Sequence, residues 1–356
     1  MKTICLFNGD MSRGGGTERI TQLLANGLNK TGKYRVIVLN LKNESGHSFF
    51  KLDDNVVMLV LKNASMLKKI IEIRQLLVSL KINIIINVDV MLAFYSMPAI
   101  MTYSKTKMIS WETFTVYNDI GSRNTTLIRS ICLRRSAYYI NQTKGDMNAF
   151  KQKFKIKCPI TYIYNPCDVK KTNNEYNASS QTIITAGNFF YTKGYDLAIE
   201  VAKIVFSRYP QWCWKFYGDG ILLNECKTLV ESYNLNCNVH FCGRVTDMEE
   251  VYSKASMYVM TSRTESFGMV LIEAKSNNLP TLSFDVDFGP REIIENGKSG
   301  YLINAFDVQV MADRICELIA DTNKRKIFSS HAGDNLSKFA EERIILEWEN
   351  VIQNIL

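Results

Sequence analysis

What most limits the fold of this chain is an alternation of short apolar runs with helical patterns, present in both halves. In the first half, residues 2–8, 34–39 and 82–88 read as strands, with helices at 20–28 and 66–79 between them. A second series places strands at 182–186, 214–217, 239–241 and 257–260, with a helix at 196–206. Strand and helix in turn build a parallel sheet covered by crossover helices. At 356 residues the chain has room for two such sheets, each with its own core. The fold class expected is therefore α/β, with two parallel-sheet domains.

Residues 160–168 read as a strand ended by Pro166, and the polar stretch 170–181 (KKTNNEYNASSQ) has no apolar period. Such a segment is a linker by composition, so domains are expected at 1–168 and 169–339. The closing segment, 340–356, has a helical pattern with Trp348, Val351, Ile352, Ile355 and Leu356 apolar.

Charge divides along the same line. Of the 43 basic and 35 acidic side chains, 24 and 11 precede residue 169, so a net +13 there gives way to −5 in the remainder. Between Arg123 and Lys157 nine cations face a single acid, Asp146, and Leu127, Ile131, Phe150 and Phe154 are interspersed. That mixture suits an anionic membrane surface. Nucleic acid is not expected, because no recognisable binding module accompanies the charge. No apolar run nears the roughly 20 residues of a membrane span, and the opening run is too short for a secretory signal. A cytoplasmic protein, peripheral to the inner face of the membrane, is the expectation. Nine scattered cysteines with no CxxC pair suggest buried reduced thiols and neither a zinc knuckle nor a disulfide framework.

Loops after the strands carry the candidate chemistry. The loop Met11-Ser12-Arg13-Gly14-Gly15-Gly16-Thr17-Glu18-Arg19 opens a helix, and glycine there lets backbone amides approach a phosphate or a sugar. Glu112 ends another strand, at the edge where open α/β sheets place ligands. The densest stretch is 261–303. In it Glu265 and Glu273 bracket a helix start near Phe267, so amides of Phe267, Gly268, Met269 and Val270 point into the cleft that the Glu265 side chain faces. A helix start favours an anion such as a diphosphate, and carboxylates accept hydrogen bonds from sugar hydroxyls. Asp285-Val286-Asp287 has the spacing of a metal-holding pair, but it lies late in the chain and no metal is expected. Three histidines, none in a triad-like context, argue against nucleophilic catalysis by histidine.

Taken together, these motifs resemble family 4 retaining glycosyltransferases. The run from Glu265 to Ala274 looks like that family's E-x7-E signature. Gly15-Gly16-Thr17-Glu18-Arg19, Tyr164-Asn165-Pro166-Cys167-Asp168, Lys193-Gly194, Gly218-Asp219-Gly220, Phe241-Cys242-Gly243, Phe288-Gly289-Pro290-Arg291-Glu292 and Gly297-Lys298-Ser299-Gly300 follow in the family's order. The resemblance implies the GT-B fold, two facing Rossmann-like domains with a deep cleft between them, the last helix returning to the first domain.

It also implies a nucleotide-sugar donor, a UDP-sugar, and a lipid-linked oligosaccharide acceptor in surface polysaccharide synthesis, with no cofactor and no metal. By the same resemblance Glu265 contacts the transferred sugar, Glu273 the ribose and Lys193 the diphosphate. Gly15 and Gly16 lie under the phosphates, Gly218 lines the donor site and Arg244 borders the base. Two positions depart from the pattern: Asn188 stands where the family often has arginine, and Ser110-Trp111-Glu112-Thr113 where many members have histidine. Glu112 joins Lys193 and Glu265 as a candidate catalytic residue. A nucleotide-sugar-binding scaffold without turnover and a sugar-nucleotide epimerase stay open beside the transferase. A dehydrogenase does not fit, since the dinucleotide fingerprint is missing.

Overall fold

Apolar runs that are buried on both faces become the central strands of a parallel sheet. The first of them, β1 (Lys2–Asn8), is buried at every residue after Lys2. The computed structural model describes all residues except 44, 104, 119–122, 168, 170–174 and 246, and the side chain of Arg123. The expected domain end at Asp168 and the first part of the linker thus lie outside the described residues.

Two compact units emerge, Met1–Cys167 with Lys338–Leu356, and Asp168–Ser337. In the first, β1 is followed by α1 (Gly16–Lys30), β2 (Tyr34–Asn40), β3 (Val57–Val60), α2 (Met66–Ser79) and β4 (Ile84–Asn87). Then come α3 (Ala93–Met101), β5 (Lys107–Trp111), α4 (Arg123–Arg135), β6 (Tyr138–Asn141), α5 (Lys144–Lys153) and β7 (Ile160–Tyr162). The strands are parallel, in the order β3-β2-β1-β4-β5-β6-β7. The order reverses between β1 and β4, the place where such sheets bind ligands at their carboxyl edge.

The second unit repeats the plan with β8 (Thr182–Ala186), α6 (Tyr195–Arg208), β9 (Cys213–Tyr217), α7 (Leu223–Ser232), β10 (Val239–Gly243) and α8 (Met248–Ser253). It continues through β11 (Met257–Met260), α9 (Met269–Ser276), β12 (Thr281–Asp285), α10 (Gly289–Ile293), β13 (Gly300–Asn304), α11 (Val308–Ala320) and α12 (Thr322–Ser330). Its order, β10-β9-β8-β11-β12-β13, reverses between β8 and β11. The core lies around Trp214, Phe216, Val259, Leu282 and the buried faces of α6 and α11.

The closing helix, α13 (Glu341–Ile355), belongs to the first unit. Trp348 meets Trp111 edge to face at 4.8 Å. At Gly27 of α1 a Cβ would lie 2.3 Å from Cδ1 of Ile345, so the two helices touch where no side chain fits. Lys33 and Glu349 add an ion pair at 3.0 Å.

Several elements differ from the sequence reading. The short strands β3 and β6 and the helix α3, which carries Pro98 inside it, were not expected. The helix expected near Phe267 begins at Met269, because Gly268 is left-handed at φ 96° and turns the chain first. All nine cysteines are free, but Cys237 and Cys242 are exposed rather than buried.

Candidate functional site

In the second unit the loops after β8 and β11 flank the reversal of strand order, and they touch. Gly194, left-handed at φ 62°, would place a Cβ 2.1 Å from the carbonyl oxygen of Thr261, and the Thr261 hydroxyl donates to the Gly194 carbonyl at 2.9 Å. This approach sets Lys193 beside the second loop. Its ammonium lies 2.6 Å from Oε2 of Glu265, with 32% and 12% of the two side chains exposed. The pair is therefore half-buried and open to a ligand.

Asp287 holds Glu265 from behind. Its Oδ2 accepts the Glu265 amide at 3.0 Å and the Thr264 hydroxyl at 2.5 Å. Asp285 is engaged with Arg291 through two bonds of 2.9 and 3.0 Å. Both carboxylates of the possible metal pair thus serve neighbouring loops. Among the described residues no cluster of three or more His, Cys, Asp or Glu side chains could hold a metal ion.

Arg263, in the same loop, donates to both oxygens of Asp196 at 2.7 and 2.6 Å and lies 4.1 Å over the ring of Tyr191. Its hydrogen bonds hold the Asp196 carboxyl below the usual range. Because its charge is matched by Asp196, Arg263 braces the loop and leaves Lys193 as the cation facing Glu265.

The start of α9 completes this edge. Phe267 is buried, while Met269 and Val270 are half-buried in the first turn, whose amides have no carbonyl of their own helix to bond. Glu273, one turn further, accepts from the hydroxyl of Tyr252 at 3.1 Å. Burial, with the Glu273 charge second, pushes the Tyr252 phenol well up. The hydroxyl therefore remains a donor to that carboxylate.

Three further candidates sit around these loops. Asn188, half-buried after β8, makes no side-chain hydrogen bond among the described residues. Gly218 follows β9, and a Cβ there would lie 1.9 Å from the Gly187 carbonyl oxygen. Its glycine is required by the packing of two loops, a reason independent of any ligand. Arg244 is exposed beyond the edge strand β10, two strands from β8, or about 10 Å at the usual strand spacing.

In the first unit Gly15 and Gly16 stand at the start of α1, beside the reversal between β1 and β4. A Cβ at Gly15 would meet Oε2 of Glu18 at 2.6 Å. Glu112 has a setting that the sequence did not anticipate. Its side chain has no exposed surface and takes two bonds from Arg129, at 2.8 and 3.2 Å, and one from the Tyr139 hydroxyl at 2.7 Å. It is a buried ion pair just past the carboxyl end of β5, with no face turned to a ligand.

The basic stretch is also divided. Arg129 is buried in that pair, and Lys153 donates to the Val116 carbonyl at 3.1 Å, while Arg134 and Arg135 are exposed. Among the described residues no helix is long and apolar enough to cross a membrane.

Sequence reasoning missed Arg263, Asp196, Tyr191, Thr264 and Tyr252. The DxD spacing drew attention to Asp287 for a different role. No local pattern marks the others, since each acts through a partner at least 21 residues away or through a loop contact.

Residues 168–334 match the family Glycosyl transferases group 1. An uncharacterized glycosyltransferase of Haemophilus influenzae is 26% identical over 362 residues, covering 99% of this chain and 100% of that protein. The amylovoran biosynthesis glycosyltransferase AmsD of Erwinia amylovora is 23% identical over 360 residues, covering 99% of each. The crystal structure of Anabaena Alr3699/HepE in complex with UDP superposes with a TM-score of 0.82 at 17% identity, over 99% of this chain and 100% of that one. Likeness of that extent establishes the fold, the two parallel-sheet Rossmann-like domains of the GT-B class. The loops that bring Lys193 to Glu265 lie inside the region, residues 168–334, that matches this family.

Proposed function

We propose that the chain is a retaining glycosyltransferase that moves a hexose-type sugar from a UDP-linked donor to a lipid-linked glycan, in surface polysaccharide synthesis at the inner face of the cytoplasmic membrane. The observation that carries the reading is the meeting of Lys193 and Glu265 at the reversal of strand order, within the region that matches the group 1 glycosyl transferases. UDP in the Anabaena neighbour and the polysaccharide named for the Erwinia relative support the donor and the setting.

In this reading the Lys193 ammonium and the first-turn amides of α9 take the diphosphate, and their charge stabilises it as it leaves. Glu265 then turns from Lys193 to the hydroxyls of the transferred sugar. Glu273 takes the ribose hydroxyls, the Gly218 loop backs the donor, and Arg244 borders the base. The acceptor hydroxyl attacks from the face on which the diphosphate departs, so no nucleophilic side chain and no metal are needed. The first unit, with the chain's positive balance, receives the anionic acceptor.

One observation favours a second reading. Asn188 leaves the diphosphate one cation fewer, which suits a scaffold that binds nucleotide sugars without turning them over. A thermal-shift screen against UDP-, GDP- and ADP-sugars, followed by release of the nucleoside diphosphate in the presence of a membrane extract, separates the two. Stabilisation by UDP-sugars with release supports transfer. Stabilisation without release in any extract supports the scaffold, and no stabilisation by any of them contradicts both.

A further inference from the structure

The first unit has a cavity of about 290 Å³ at the amino ends of β5 and β6, on the sheet edge opposite the Gly15 loop. Met97, Ile100 and Met101 of α3 and Met108 of β5 line it, and Lys107 and Arg135 stand at its rim. The polar groups in its wall are already satisfied: the Thr106 hydroxyl donates to the Ile82 carbonyl at 2.7 Å, and the Ser136 hydroxyl pairs with that of Ser110 at 2.8 Å. Apolar side chains thus form the larger part of a mixed wall, and its methionines can adapt to a flexible chain.

The rim has the opposite nature. Lys107 and Arg135 are exposed and have no acidic partner among the described residues. No aspartate or glutamate occurs from residue 90 to 111 or from 120 to 145, so the charge around the opening is positive. Beside it, Arg74 of α2 donates to the carbonyl and hydroxyl of Thr102 at 2.5 and 3.0 Å, fixing α2 against the end of α3. Leu67, Ile71 and Val78 follow one stripe of α2 with Arg74, and they are 75%, 56% and 45% exposed, next to Met101 at 67%. A cationic rim, a mostly apolar hole and an apolar stripe on one edge match the two ends of an anionic amphiphile.

We propose that this edge of the first unit docks on a bilayer containing anionic phospholipid, with one acyl chain in the methionine cavity and its phosphate between Lys107 and Arg135. The α2 stripe enters the headgroup boundary beside it. The five residues of β5 span about 17 Å, so the lipid seat is separate from the carboxyl edge of the sheet. The proposal rests on the membrane setting of the proposed function; its failure would remove that setting, while binding and release of UDP-sugars tests transfer separately.

Vesicle flotation of the full chain tests it, with phosphatidylglycerol mixed into phosphatidylcholine against phosphatidylcholine alone. Wild type is expected to float only with the anionic lipid. The double variant Lys107→Gln/Arg135→Gln should lose about thirtyfold in partition, and Met101→Asp a similar amount. Lys227→Gln/Lys326→Gln, exposed in the second unit and equal in charge removed, should stay within about twofold of wild type. Circular dichroism melting checks that each variant is folded. Equal losses in the two double variants would overturn the proposal in favour of diffuse attraction, as would wild type that floats equally with both lipids or with neither. Titration with a short-chain phosphatidylglycerol below its micelle concentration reads the cavity itself. Saturable binding that Met101→Asp abolishes supports it, and no binding overturns the acyl seat.

Discussion

The ammonium of Lys193 lies 2.6 Å from the Glu265 carboxylate, across two loops separated by 72 residues of sequence. Each group neutralises the other where strand order reverses. In the proposed reaction an incoming diphosphate would compete with the carboxylate for this cation, and the exchange would free Glu265 for the sugar.

Asp287 sets the position of that carboxylate through the Glu265 amide and the Thr264 hydroxyl. Asp287→Ala removes the oxygen that accepts both bonds and places alanine at φ 48°, a conformation that asparagine tolerates better. Transfer kcat is expected to fall about tenfold in Asp287→Ala, with the affinity for UDP within about threefold of wild type. Asp287→Asn should recover most of the rate. Equal rates in wild type and Asp287→Ala, measured by UDP release, would remove Asp287 from the account.

Glu112 belongs to stability. Removing it would take from the buried Arg129 the carboxylate that it bonds twice, a change that costs about 3–5 kcal/mol. Glu112→Ala is therefore expected to lower the urea midpoint of the first unit. A variant as stable as wild type but inactive would return Glu112 to the reaction.

Asp146 makes stability depend on pH. Burial raises its carboxyl from an ordinary 3.8 to about 7, so the folded chain keeps a proton that the unfolded chain releases. The contribution of this group is fully present below about pH 4 and is lost as pH rises towards 7. Asp89, raised to about 6 by burial, acts in the same direction. Asp146 accepts from the Val116 amide and from Nδ2 of Asn141, each at 2.8 Å. Asp146→Asn removes this titration; its Oδ1 can still accept from the Val116 amide, and, once the Asn141 amide turns over, its Nδ2 donates to Oδ1 of Asn141. The stability of wild type relative to Asp146→Asn should fall between pH 4 and pH 7, read from urea midpoints. A constant difference across that range would contradict the assignment.

How much of this was legible in the sequence varied with the range of the interaction. Local periodicity sufficed for most strands of both sheets though not for β3 and β6, Glu265 and Glu273 stood out because they bracket a helix start, and Lys193 was marked only by the family resemblance. The contact of Lys193 with Glu265, and the bracing of Arg263 by Asp196, join distant segments and have no local sign. Arg129 looked like one more cation on a basic face, since nothing near it in sequence says that Glu112 lies opposite. Pro98 concealed α3, whose last residues line the cavity at Lys107.

Divalent metal should not matter to transfer. Asp285 is held by Arg291 and Asp287 by the Glu265 loop, so neither carboxylate of the pair is offered to an ion. UDP release is expected to stay within about twofold after EDTA, against the 10²-fold or larger losses that follow removal of an essential electrostatic partner. Loss of activity restored by manganese would refute a metal-free site.

The central claim is that Lys193 and the start of α9 form the diphosphate seat, and calorimetric titration of UDP measures it most directly. Wild type and Glu265→Gln are expected to bind UDP comparably, while Lys193→Ala binds at least about tenfold more weakly. Equal UDP affinity in Lys193→Ala and wild type, or no binding to wild type, would contradict the account.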